Sequence, residues 1–156
     1  GTDTTTAVAL STPLIRVFRM KVIENVVAAQ NISVKNAAGS TTYATIQAGN
    51  NQTLMAIYTV PAGKMAFMTK YFASVVNATN KTPVSTNIML FAADRANGYQ
   101  FQLKHAIGIP KAGSMVEYCF EPYFKVTEKT DIKITGTVAG EPGRVHSGFD
   151  LILVDV

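Results

Sequence analysis

The sequence predicts an all-β protein, an antiparallel β-sandwich of jelly-roll-like form. Three observations carry that expectation. From Gln52 onward, about seven apolar runs alternate with a period of two and are separated by turn signals at intervals of roughly 8–14 residues, the spacing of sandwich and jelly-roll domains. No alternation of strands with helical patterns occurs, and there is no solenoid or propeller repeat. Residue usage agrees. The hydrophobic share is 47% and the charged share 15%, so Thr, Ser, Asn, Gln and Gly must cover much of the solvent face, while Val, Ile, Thr, Tyr and Phe favour strands.

At 156 residues the chain is long enough to bury a core in one domain with an appendage. Residues 1–13 read as a flexible amino-terminal arm, because GTDTTTAVALS (Gly1 to Ser11) is small, polar and rich in threonine. Residues 14–51 read as amino-terminal strands that contact a partner, and 52–156 as the sandwich. After Pro13, LIRVFRMKVI (Leu14 to Ile23) alternates: Arg16 shares a face with Phe18, Met20 and Val22, and Arg19 and Lys21 share the other with Ile15, Val17 and Ile23. Basic residues among the apolar ones suit an edge strand. Short strands are expected at 26–29, 32–34 and 41–47, with a turn at Ala37 to Ser40 and a break at Ala48 to Asn51.

The stretch 52–75 reads as a hairpin. Leu54, Ala56, Tyr58 and Val60 fall on one face of its first strand; on the second, Met65, Phe67, Tyr71, Ala73 and Val75 alternate against Ala66, Met68, Lys70, Phe72 and Ser74. Pro61 and Gly63 supply the turn, proline by presetting φ and glycine by tolerating positive φ. A polar loop at Asn77 to Thr86 leads to a strand at 87–93. Asn97-Gly98 then signals a second hairpin, after which Tyr99, Phe101, Leu103, His105 and Ile107 share a face. Strands follow at 115–126, bent at Pro122, at 131–138 and at 149–156. The turn Glu128-Lys129-Thr130 and the loop Ala139 to Gly148 separate them.

The residue chemistry names no catalytic, metal-binding or cofactor-binding residue. Cys119 is the one cysteine, which rules out an intrachain disulfide; in MVEYCF it reads as a small buried hydrophobe. His105 reads as a satisfied sheet histidine and His146 as a loop residue, which together with one cysteine make no zinc set. Glu117 and Glu121 near Glu128 or Asp131 raise a carboxylate-pair or calcium reading, but the alternating signs of Glu128 to Asp131 suit a solvated turn. Gly136, Gly140 and Gly143 precede a strand, not a helix, and so form no phosphate cradle. The formal charge is +4 without a Lys/Arg run, which points away from nucleic acid. No apolar run of membrane-spanning length and no signal-peptide pattern occurs. Tyr43 and Tyr99 are the tyrosines placed off the core-facing positions, which keeps a carbohydrate-binding module open as an alternative.

The segments Thr59 to Val75 (TVPAGKMAFMTKYFASV), MLFAADRANGYQFQLKH, Glu121 to Thr137 (EPYFKVTEKTDIKITGT) and the ending FDLILVDV resemble virion proteins of tailed, marine-type bacteriophages. In that group a VPAGK-type hairpin, a PEKSDI-like turn and an FDLILV-like ending recur in that order; here Thr127 stands where the group carries proline. The likeness covers roughly residues 52–156. It implies a non-enzymatic particle component: a head decoration, knob or fibre protein on the virion exterior, or a tail-side receptor-binding protein. It further implies a symmetric homo-oligomer, taken as a trimer, with other virion proteins such as the major capsid protein as partners, no cofactor and no membrane. Leu14, Arg16, Phe18, Arg19 and Lys21, together with the arm, are the expected partner-contact residues.

Overall fold

The computed structural model describes residues 7–14, 17–23, 26–77 (residue 77 by its backbone only), 85–110, 113–139 and 143–156. Among the described residues there is no helix. The strands are β1 (Ile32–Lys35), β2 (Thr42–Ile46), β3 (Ile57–Thr59), β4 (Lys64–Asn77), β5 (Ser85–Ala93), β6 (Gln102–Ile109), β7 (Met115–Val126), β8 (Asp131–Ala139) and β9 (Gly143–Asp155), all paired antiparallel. They belong to two compact units, Gly1–Met55 and Ala56–Val156.

The first unit is small. β1 and β2 pair in register from Ile32↔Ile46 to Lys35↔Thr42, and their turn is closed by Asn36, whose side-chain oxygen accepts the Thr41 N–H at 3.0 Å. Ala28, Ala44 and Ile46 are its buried apolar residues. The strand expected at 14–23 does not form among the described residues. A single bridge joins Lys21 to Gln52, supported by Thr53 N–H donating to Met20 O at 3.0 Å and Val22 N–H to Asn51 O at 2.8 Å. Alternation permits a strand, but a strand also needs a long edge to pair with, and this unit offers only a short one. The segment 26–29 is likewise not a strand: Ala28 is pinned by bonds to Gly49 and Asn50. Because Gln52 and Thr53 are held to Lys21 and Met20, the boundary falls after Met55 instead of before Gln52.

In the second unit one sheet has the order β3-β8-β5-β6 and the other β7-β4-β9. Their inward residues form one core, with Val60, Met68, Tyr71, Val75, Ile88, Leu90, Ile109 and Ile132 almost fully removed from solvent. Each aliphatic side chain of this kind contributes roughly 1.5–3 kcal/mol by leaving water. Only β5 and β6 are consecutive strands paired with each other. Every other connection from β3 to β9 carries the chain from one sheet to the other.

That rule overturns the hairpin expected at 52–75. β3 pairs with β8, and β4 pairs with β7 and β9. The turn itself is as expected: Lys64 N–H donates to Pro61 O at 3.2 Å and Gly63 takes φ +72°, a conformation glycine adopts without a Cβ clash. It is a corner between sheets. Two apolar runs around Pro-x-Gly do not say whether the second pairs with the first or passes to the facing sheet.

Two bulges correct the expected faces. In β4, Thr69 is extra in the ladder to β9, and in the ladder to β7 it stands opposite the insertion 120–123 of β7, so Ala66 and Met68 point inward together with Tyr71, Ala73 and Val75, while Phe67 and Phe72 point out. In β6, Leu90 pairs with His105 and Phe91 with Leu103, leaving Lys104 extra. His105, Ile107 and Ile109 therefore face the core, and Leu103 is exposed. A one-residue insertion reverses every later side chain, because the strand period is two.

Candidate interaction surface

The corner at 60–64 sits against the corner at 127–130. Val60 N–H donates to Thr130 O at 2.9 Å and Lys129 N–H to Val60 O at 2.7 Å. The Glu128 carboxylate accepts the Gly63 N–H at 2.6 Å. That bond, with the nearby Lys129 ammonium second, holds the Glu128 carboxyl below its ordinary value. Asp131, buried at the start of β8, accepts a hydrogen bond from Thr59 Oγ1 at 2.7 Å. Glu117 is engaged separately, by Lys70 at 3.0 Å, which with the charge of Glu117 raises the Lys70 pKa. Of the carboxylates considered from sequence, Glu117, Glu128 and Asp131 are thus taken up by different partners. Among the described residues no group of three or more His, Cys, Asp and Glu side chains is gathered as a metal site.

His105 lies between the sheets. Its Nδ1 is 2.6 Å from Tyr71 Oη, and its ring lies 4.1 Å, centroid to centroid, from that of Tyr118. Burial, with Tyr118 adding to it, pushes the Tyr71 phenol up to about 12. Cys119 is exposed, contrary to expectation. It pairs across from Lys70 on the outward face, between the inward Tyr118 and Phe120, and its Sγ lies 3.8 Å from Glu117 Oε1. MVEYCF is an edge strand with one wet side, so the apolar neighbours of Cys119 in sequence are not its neighbours in space.

Of the partner-contact residues expected from sequence, Leu14, Phe18, Arg19 and Lys21 are exposed, and Arg16 lies outside the described residues. Arg19 donates to Gln52 Oε1 at 2.7 Å. Residues 1–6 of the arm, and 78–84 and 140–142 of the two long loops, also lie outside them; the rest of the loop expected at Ala139 to Gly148 is strand, since β9 already begins at Gly143 and His146 pairs with Ser74. The sequence reading missed a second exposed apolar surface on the β7-β4-β9 sheet. Met65 pairs with Val154 and Phe67 with Ile152, with all four on the outward face. Ile152 and Val154 are 46% and 39% exposed. Its rim is charged: Lys64 pairs with Asp155, and Lys70 lies 3.8 Å from Asp150. The signal was present in FDLILVDV, where four apolar residues in succession cannot all face one core. Tyr123 is also exposed, at 53%, on the interrupted stretch of β7 between Cys119 and Phe124 that contains the cis Glu121-Pro122 peptide.

No protein-family model matches the chain, and no curated protein and no solved structure matches it either.

Proposed function

We propose that the chain is a non-enzymatic structural protein of a tailed-bacteriophage virion, a head decoration, knob or fibre component that works on the particle exterior as a symmetric oligomer, with the major capsid protein among its neighbours. The observation that carries this reading is the pairing of Gly63 with Glu128. The VPAGK and VTEKTDI segments, on which the resemblance rests, meet in space and fasten one sheet-to-sheet crossing to another. Their recurrence thus has a structural reason and needs no catalytic one.

The strand pairing supports a jelly-roll β-sandwich. β5·β6, β4·β7 and β3·β8 are nested pairs, the result of folding one long hairpin over on itself. Such a domain holds together without disulfides or cofactors and offers sheet faces for symmetric association. The test is the position and copy number of the chain in purified particles, imaged for wild type and for a variant lacking residues 1–13. The expected result is a folded truncated domain that no longer joins particles; unchanged incorporation counts against the reading. A carbohydrate-binding role is a second reading, favoured by exposed Tyr99 and Tyr123, and binding on a glycan array would replace the first.

A further inference from the structure

The nested order of the second unit is one strand short. β5·β6, β4·β7 and β3·β8 are successive layers of one folded hairpin, and β9 follows β8. The next layer would pair β9 with a strand from before β3. No described strand occupies that place: β9 has β4 on one side and no neighbour on the other. It spans Gly143–Asp155, 13 residues, and an edge of that length leaves a row of N–H and C=O groups available for pairing. The other sheet edges are guarded. β3 has three residues, β6 is broken by the bulge at Lys104, and β7 by the insertion around Pro122. Between Asp150 and Asp155, β9 carries only Leu151, Ile152, Leu153 and Val154.

The same chain holds a strand-like segment without a partner. In residues 7–14, AVALSTPL, the larger apolar side chains Val8, Leu10 and Leu14 fall on one face and Ala7, Ala9 and Ser11 on the other. Val8 is 82% and Leu10 61% exposed. These residues form no hydrogen bond with any described residue. The segment is uncharged, as is the stretch Leu151–Val154, so pairing them buries no ionised group.

We propose that residues 7–12 of a second copy of this chain add as an antiparallel strand along the free edge of β9. The occupant is a second copy because one chain presents both the unpaired strand and the unpaired edge, both uncharged, and residues 7–14 make no hydrogen bond with any described residue of their own chain. Backbone bonds supply the affinity, and the alternating side chains Val8 and Leu10 set the register. Each copy gives an arm and receives one, so two copies can exchange arms about a two-fold axis, or several can pass them head-to-tail and close into a ring when the rotation permits. The inference deepens the self-association part of the proposed function and does not depend on the virion part.

The test uses the full chain in solution, with mass from light scattering and amide hydrogen exchange resolved by strand. We expect an assembled protein with slow exchange in β9. Removal of residues 1–13, or the full-length double variant Val8→Asp/Leu10→Asp, should give monomers in which β9 amides exchange about tenfold or more faster while β4 and β5 amides keep their rates. Adding a peptide of residues 7–14 to the truncated protein should restore slow exchange in β9. A monomeric full chain with β9 already protected would mean that the chain's own arm fills the edge and would overturn the proposal. Unchanged mass and exchange in both variants would also overturn it. Particle incorporation is not read in this experiment, so its outcome is separate from that of the virion assignment.

Discussion

The Glu128 carboxylate accepts the backbone N–H of Gly63 at 2.6 Å across a sequence separation of 65 residues. The bond joins the β3–β4 corner to the β7–β8 corner, where the backbones of Val60, Lys129 and Thr130 are already exchanging hydrogen bonds. A corner carries no ladder to fix its direction, so a side chain that grips the adjoining corner sets the angle at which β4 and β8 leave it.

Replacing Glu128 with Gln should therefore remove an acid-dependent part of the stability. The folded-state pKa of Glu128 lies below its ordinary value of 4.5. Its contribution is present above that value and is lost as pH falls through the lowered folded value. Thermal melts from neutral pH down into that range should show the wild type losing more stability than Glu128→Gln. Parallel curves would show that the bond contributes nothing in solution.

Tyr71→Phe removes the hydroxyl that meets His105 Nδ1 and leaves a half-buried ring nitrogen without that partner. The expected loss is about 1–3 kcal/mol, read by urea unfolding. A double-mutant cycle with His105→Phe should give a coupling energy clearly different from zero. The Tyr71 phenol, with its pKa pushed up to about 12, should ionise in an alkaline titration only well above its ordinary value of 10.0. Because the folded pKa exceeds the ordinary value of 10.0, the stability it confers is complete below pH 10 and falls as pH rises from there through 12.

Gly148 is covered by the Phe72 ring: a Cβ there would lie 2.7 Å from Phe72 Cζ. Gly148→Ala should destabilise by about 1–3 kcal/mol. Adding Phe72→Ala should make the pair less than additive, since it removes the group that clashes. Full additivity in chemical denaturation would dismiss the contact.

Deleting Thr69 should be tolerated, because it removes the extra residue and leaves Ala66, Met68, Tyr71, Ala73 and Val75 alternating on the inward face. Deleting Phe72 instead should prevent folding, since it turns Ala73 and Val75 outward. A Thr69 deletion that loses the native near-ultraviolet circular dichroism while the Phe72 deletion keeps it would contradict the assigned register.

Cys119→Ser should change stability by no more than about 0.5 kcal/mol, as surface substitutions do. The thiol should react with a disulfide reagent in the native protein at the rate of an exposed cysteine. Slow labelling that requires unfolding would place it back in the core.

The sequence by itself determined the strand class, most strand positions from 85 to 155, the Gly63 turn and the β5–β6 connection. All of these rest on local steric preferences and on a period of two, which a chain carries with it. Tertiary structure decided which sheet each strand joins, because a tight turn followed by an apolar run is compatible with either pairing or crossing. It also decided which side each residue faces beyond Thr69 and Lys104. A bulge is a property of the ladder, and a single strand read alone has no ladder in which an extra residue can be seen. For the same reason Cys119 came out wet, 14–23 came out without a strand, and the apolar outer face at Phe67 and Ile152 went unseen: burial depends on what lies opposite, and only the folded chain supplies that.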